Sequence, residues 1–174
     1  MPTRWISIAV VMVPFLAGCG SQASVAELPS LQLDGDRIAV VGVSSGAAMA
    51  QQVHFAFSDH VIGAGLIAGT PLGCAEGDLN TALGRCMKAQ PDAPDTVLLA
   101  ERAQALADDG KLAPLSGLEG DRVWVFHGTA DAVVAETVSK ASYSIYEALA
   151  QEVATPPVKG MQLTWDGARE IGHS

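Results

Sequence analysis

Three residues stand in the order that one kind of acyl-transfer chemistry uses: Ser44 in "GVSSG" (42–46), Asp131 in "VWVFHGTAD" (123–131) and His173 in "WDGAREIGHS" (165–174). A serine hydroxyl is a weak nucleophile at neutral pH. It needs an imidazole to take its proton and a carboxylate to orient that imidazole. The Gly-x-Ser-x-Gly spacing makes Ser44, rather than Ser45, the candidate nucleophile. A serine projects its hydroxyl above a sheet on a sharp strand-to-helix turn only where its neighbours are small. Gly42, Gly46, Ala47 and Ala48 supply that smallness. The amide of Ser45, at the start of the following helix, would donate to an oxyanion with help from the helix dipole. Glycine and serine are common, so the five residues alone also fit a tight structural turn. Their place between an apolar strand run and a helix start favours the nucleophile.

Other acids and histidines fit less well. Asp59 precedes a strand, Asp95 is placed to cap a helix, and Asp166 is a stand-in for the acid. His54 lies within a helix, which suits packing or a surface position. His127 falls inside its strand run and is expected to pack or hydrogen-bond beneath the site.

Positioning these residues requires strands alternating with helices. "RIAVVGV" (37–43) is a continuous apolar run of the kind that forms a buried parallel strand. "GAAMAQQVHFAF" (46–57) reads as a helix, with Ala48, Gln52 and Phe55 at helical spacing, and "VIGAGLIAG" (61–69) as a second strand whose glycines suggest close backbone approach. Residues 70–95 are expected to be a loop-rich excursion. Residues 95–110 read as a helix with Asp95 as N-cap and Gly110 as its stop. "RVWVFHG" (122–128) is a third strand, 135–153 an amphipathic helix, and "MQLTW" (161–165) a short last strand. The expected fold class is therefore α/β, with about four mostly parallel strands, flanking helices and right-handed crossovers, the nucleophile strand coming first.

The chain of 174 residues is long enough for one domain with a real core, and 49% hydrophobic with 17% charged residues is a globular composition. A formal charge of −9 with no basic run argues against nucleic acid as a partner. Arg4 followed by "WISIAVVMVPFL" (5–16) reads as an export signal, too short to span a bilayer stably. It ends in "LAGC" (16–19), which looks like a bacterial lipobox, with Cys19 receiving the lipid; ordinary signal-peptide cleavage nearby is the alternative. The expected organisation is a signal peptide over 1–18, an acylated Cys19 with a tether over 19–32, and a catalytic-type domain over 33–174. Such a chain is anchored to a membrane rather than spanning it, in the bacterial cell envelope on the periplasmic or extracellular side. With Cys19 consumed, Cys74 and Cys86 form an even pair, and an oxidising envelope favours a disulfide. Two cysteines without a suitably spaced histidine do not make a metal site, and the chemistry sketched above needs no cofactor.

"GVSSGAAMAQQVHFAFSDHVIGAGLIAGTPLGCAEG", the later Cys86, "FHGTADAVV" and "GHS" together resemble the poly(3-hydroxybutyrate) depolymerase family, from about residue 33 to the end. The resemblance implies an α/β-hydrolase fold, Ser44 as nucleophile, Asp131 as acid, His173 as base, a Cys74–Cys86 bridge and a polyester or short hydroxyacyl ester as substrate. The family often has Gly where this chain has Ala47, which bears on the pocket floor. Members with a short segment before the serine look circularly permuted, with further strands after the histidine. The resemblance therefore implies a chain truncated after the histidine, or one needing a missing segment or partner to complete its sheet. Two other readings accompany an envelope-anchored serine esterase: an inactive depolymerase fragment, and a lipoprotein that binds an apolar ligand or partner without chemistry.

Overall fold

A computed structural model of the chain describes residues 32–151 and 153–173. The expected export signal, Cys19 and nearly all of the tether lie outside the described residues.

Among the described residues, ten short elements follow one another: β1 (Ile38–Val43), α1 (Ser45–Ala56), β2 (Val61–Ile67), α2 (Leu79–Leu83), α3 (Arg85–Lys88), α4 (Thr96–Asp108), a 3-10 turn (Leu115–Leu118), β3 (Arg122–Phe126), α5 (Glu136–Ala150) and β4 (Gln162–Asp166). The strands form a four-stranded sheet in the order β1-β2-β3-β4. Every neighbouring pair is parallel, and the register aligns Val41, Gly65, Trp124 and Thr164 across the sheet. A parallel pair needs a crossover, and a right-handed crossover stepping always in the same direction returns on the same face. That rule puts α1, α4 and α5 together. α1 packs on β1 and β2, α5 on β3 and β4, and α4 against α5. The core between helices and sheet is built from Phe55, Leu66, Val123, Val125, Ile145, Tyr146 and Leu149, with Leu99, Ala100 and Ala103 of α4.

The opposite face of the sheet carries no helix among the described residues. Val41 there is 70% exposed and Trp124 39% exposed. Gly65 makes room on this face, since a Cβ on it would come 3.1 Å from a Val41 methyl. β1 also occupies an edge of the sheet.

The expected α/β order is present, with differences that have physical causes. The excursion after β2 is not all loop. It holds α2, whose first turn is capped by Asp78 through bonds of 2.6 and 2.7 Å from the Thr81 amide and hydroxyl, and α3, which carries Cys86. Helices this short rest on a cap and a crosslink rather than on periodicity, so the sequence pattern does not signal them. Asp95 does cap α4, accepting from the Leu98 amide at 3.0 Å, and Gly110 with φ +68 follows its end. The buried face of α1 is Ala47, Ala50, Gln51, His54 and Phe55. Of the expected Ala48, Gln52 and Phe55 stripe, Phe55 is buried, Ala48 is half-buried and Gln52 is exposed. The polar pair Gln51 and His54 faces inward because each finds buried partners there. β3 stops at Phe126, so His127 lies just past the strand rather than inside it.

Candidate active site

Ser44 alone makes the turn between β1 and α1, with φ 56 and ψ −121. A side-chain-bearing residue at positive φ is strained, and such strain persists only where the surroundings over-determine it. They do so here: the Ser44 amide donates to Ile67 O at 2.8 Å, and its carbonyl accepts from the amides of Ala47 and Ala48 at 3.0 and 3.2 Å. Two glycines make the turn sterically possible. A Cβ on Gly42 would lie 2.1 Å from the Gly46 carbonyl oxygen, and one on Gly69 would lie 2.5 Å from the Ala47 Cβ. Gly46 has open space around it. The smallness the turn requires is therefore at Gly42 and Gly69, the second lying outside the five-residue motif. Ser45 opens α1, and its amide, at the first position of the helix, has no intrahelical acceptor.

Asp131 and His173 are brought into direct contact. His173 Nδ1 lies 2.8 Å from Asp131 Oδ2, with the Asp131 side chain fully buried and that of His173 15% exposed. The other carboxylate oxygen accepts from the amides of Val133 and Val134 at 2.8 and 3.0 Å. Burial by itself raises the Asp131 carboxyl, but the bonds from His173, Val134 and Val133 outweigh it and hold the group below its ordinary value. An ionised carboxylate only accepts, so Nδ1 carries the proton and Nε2 is left free to act as a base.

The segment carrying His173 is laid across the end of β3. Thr129 N donates to Arg169 O at 2.9 Å and Ala130 N to Ile171 O at 3.3 Å. A Cβ on Gly128 would sit 1.9 Å from the Ile171 oxygen, so only glycine lets the segment cross there. Gly128 and Gly69 are the residues that sequence reasoning missed. "HG" directly after a strand run was the available signal for Gly128, while Gly69 closes the run "VIGAGLIAG", whose glycines suggested close approach without naming the serine turn as what approaches.

Ser44, Asp131 and His173 all follow the carboxyl ends of parallel strands, on β1, β3 and β4 respectively. Among the described residues, no hydrogen bond joins the Ser44 hydroxyl to His173. The other candidates are engaged elsewhere. Asp166 pairs with Arg169 at 3.2 Å, and Asp59 faces the exposed His60 at 3.5 Å. His54 is buried between Tyr146 OH and Asp121 Oδ2, 2.9 Å from each. Its burial lowers its pKa against the opposing pull of Asp121, whose own carboxyl is raised by burial against the bond from His54. Cys74 and Cys86 are bridged, with an S–S distance of 2.04 Å. No group of three or more potential metal ligands occurs among the described residues.

No family model matches the chain. A curated poly(3-hydroxybutyrate) depolymerase from Delftia acidovorans is 39% identical over 132 residues, covering 75% of this chain. The chain is a homologue of that depolymerase. It spans 26% of the relative's length, about a quarter. Two solved structures share the fold. One, a PHB depolymerase complexed with an R3HB trimer, superposes with a TM-score of 0.60 at 17% identity, covering 80% of this chain and 40% of its own. The other, the PHB depolymerase from Penicillium funiculosum, gives 0.58 at 18% identity, with the same coverage of 80% and 40%. The sheet and its helices are thus part of an α/β-hydrolase fold.

Proposed function

We propose that this domain is the nucleophile-bearing part of a serine ester hydrolase acting on poly(3-hydroxybutyrate) or short hydroxyacyl esters, with Ser44, Asp131 and His173 as its triad. The observation that carries the reading is the strained Ser44 turn standing at the same carboxyl end of the sheet as a buried, ionised Asp131 that holds His173. The homology to a depolymerase supports the substrate class.

The chemistry is acyl transfer in two halves. As Ser44 Oγ attacks the ester carbonyl carbon, His173 Nε2 takes the hydroxyl proton, and the carbonyl oxygen gains negative charge. Asp131 holds the imidazole tautomer and stabilises the imidazolium. The Ser45 amide donates to the oxyanion, and one such donor is worth about 2.7–4 kcal/mol in the transition state. Collapse expels the alcohol, which leaves with the proton from His173, and the acyl group stays on Ser44. Water then attacks the acyl-enzyme, giving its proton to His173, and the acid departs as Ser44 recovers its own. Forming the Ser44–His173 bond is the step that substrate binding must complete, since catalytic hydrogen bonds often tighten only in the complex. The experiment is hydrolysis of p-nitrophenyl butyrate by the wild-type chain and by Ser44→Ala. Turnover should vanish in the variant with its thermal melt unchanged; activity that survives removes Ser44 as nucleophile.

A lipid on Cys19 and an address in the bacterial envelope form part of the same proposal, supported by "LAGC" after a short apolar run. Labelled palmitate should enter the wild-type chain in cells and not Cys19→Ala. The open edge of β1 and the exposed Val41 and Trp124 support a further reading, that additional polypeptide completes the sheet, because parallel sheets are ordinarily covered on both faces. An apolar dye should therefore bind the isolated domain, and less so after Trp124→Ser. The same bare face favours the second reading, a catalytically silent domain. A wild-type chain that folds cooperatively yet shows no Ser44-dependent turnover would establish it.

A further inference from the structure

His127 is 3% exposed and sits between the end of β3 and the turn that carries Asp131. Its Nε2 lies 3.0 Å from the carbonyl oxygen of Val134. A carbonyl only accepts, so the His127 proton is on Nε2 and is donated there. The ring's other nitrogen, Nδ1, is buried with no hydrogen-bond partner among the described residues. A leucine or phenylalanine would fill this place without burying an unpaired acceptor. The imidazole is therefore explained by the bond it makes rather than by its bulk.

That bond closes a loop around Asp131. The Asp131 amide donates back to Gly128 O at 3.0 Å, and Asp131 Oδ1 accepts from the amides of Val133 and Val134. Val134 thus grips the carboxylate through its amide and is itself held by His127 through its carbonyl. The same His127 Nε2 lies 3.8 Å from Asp131 Oδ2, the oxygen that holds His173, which is too far for a hydrogen bond.

The geometry points to His127 as a positioning residue for the reaction: by clamping Val134 it sets the orientation of the Asp131 carboxylate and so of the His173 imidazole. The inference rests on the triad proposed above and adds a fourth residue that touches neither substrate nor nucleophile.

The test compares wild type, His127→Leu and His127→Gln in the whole chain, the glutamine amide being able to donate to the Val134 carbonyl. Three quantities are read: kcat and KM on p-nitrophenyl butyrate, the pH profile of kcat, and the downfield proton resonance of His173 Nδ1 by NMR. The leucine variant should lose up to about a hundredfold in kcat, as misplaced catalytic groups do, with KM nearly unchanged. The acid limb of its profile should move to lower pH, because an imidazolium less well served by Asp131 forms less readily. Its downfield resonance should shift upfield or broaden, and the glutamine variant should recover most of each quantity. Where the leucine variant does not fold, His127→Asn replaces it, since its shorter amide falls short of Val134. A resonance and acid limb unmoved in a folded variant, whatever the melting temperature does, would overturn the inference. The resonance does not depend on turnover. A wild-type chain without Ser44-dependent activity but with a His127-dependent resonance would sink the esterase reading while leaving the clamp on Asp131 intact.

Discussion

Among the described residues, two buried Asp–His contacts have nearly the same length, 2.8 Å for Asp131–His173 and 2.9 Å for Asp121–His54. Their surroundings separate them. Asp131 receives two backbone amides besides the imidazole, and its carboxyl is lowered; His173 keeps an open side. Asp121 is raised by burial and His54 lowered by it, and His54 is wholly inaccessible with Tyr146 on its other nitrogen. In that second chain Tyr146 OH donates to His54 Nδ1 and His54 Nε2 donates to Asp121, so every ring position is used and no base remains. It ties α1 to α5 and to the residue preceding β3. The same two residue types thus form a candidate base where one nitrogen stays free, and a tie between elements where both are occupied. What separates site from scaffold is access and the spare hydrogen-bonding position, not the pair itself.

Substitution of the two acids should separate the pairs most widely. Asp131→Asn is expected to lower kcat by roughly 10⁴-fold, since the amide favours the wrong imidazole tautomer. Asp121→Asn should leave kcat of the folded protein nearly intact. Steady-state kinetics beside a thermal melt checks both, and equal losses of kcat would erase the distinction. A smaller effect on the same side is predicted for Gly128→Ala, whose methyl meets the Ile171 oxygen and pushes the His173 segment aside. Its kcat should fall by up to about a hundredfold while the unfolding midpoint in urea hardly moves.

His54→Ala strikes the other pair. It leaves a buried Asp121 without its partner and should destabilise the fold by about 3–5 kcal/mol, read from urea unfolding, with the turnover of the remaining folded protein preserved.

The smallest effect expected is on the pH dependence of stability. His54 has a folded pKa below its ordinary 6.5, so as pH falls through that value the unfolded chain takes up a proton that the folded chain resists, and stability declines. Asp121, raised in the fold, works oppositely, binding its proton first in the folded state as the pH falls further. Asp131, lowered in the fold, contributes stability above the ordinary carboxylate range that is lost in stronger acid. Melting temperatures across this range should therefore begin to fall near pH 6.5, and that early fall should be missing in His54→Gln.

The sequence marked the first pair and not the second. Asp131 and His173 could be read because each follows a strand run in the order a nucleophile requires. Asp121 precedes its strand and His54 lies inside a helix, positions without local meaning. Their pairing depends on α1 and β3 packing side by side, and a chain separation of 67 residues is closed only by the fold. The inward face of α1 was missed for the same reason: Gln51 is buried because its amide reaches Ser142 O and its carbonyl oxygen takes the Leu72 amide, both at 2.8 Å and both from other elements. α2 and α3 were missed because a cap and a crosslink, rather than periodicity, support them.

By itself the sequence determined the alternation of strands and helices, the Gly-x-Ser-x-Gly turn, the cap at Asp95 and the order of serine, acid and histidine. These follow from backbone sterics, local hydrogen bonding and the burial of apolar runs, all of which act between near neighbours. Only the tertiary structure decided which glycines are indispensable, which histidine keeps a free nitrogen within reach of solvent, and which face of the sheet carries no helix among the described residues. Those depend on what lies across from each residue, and the sheet brings into contact groups that the chain itself holds far apart.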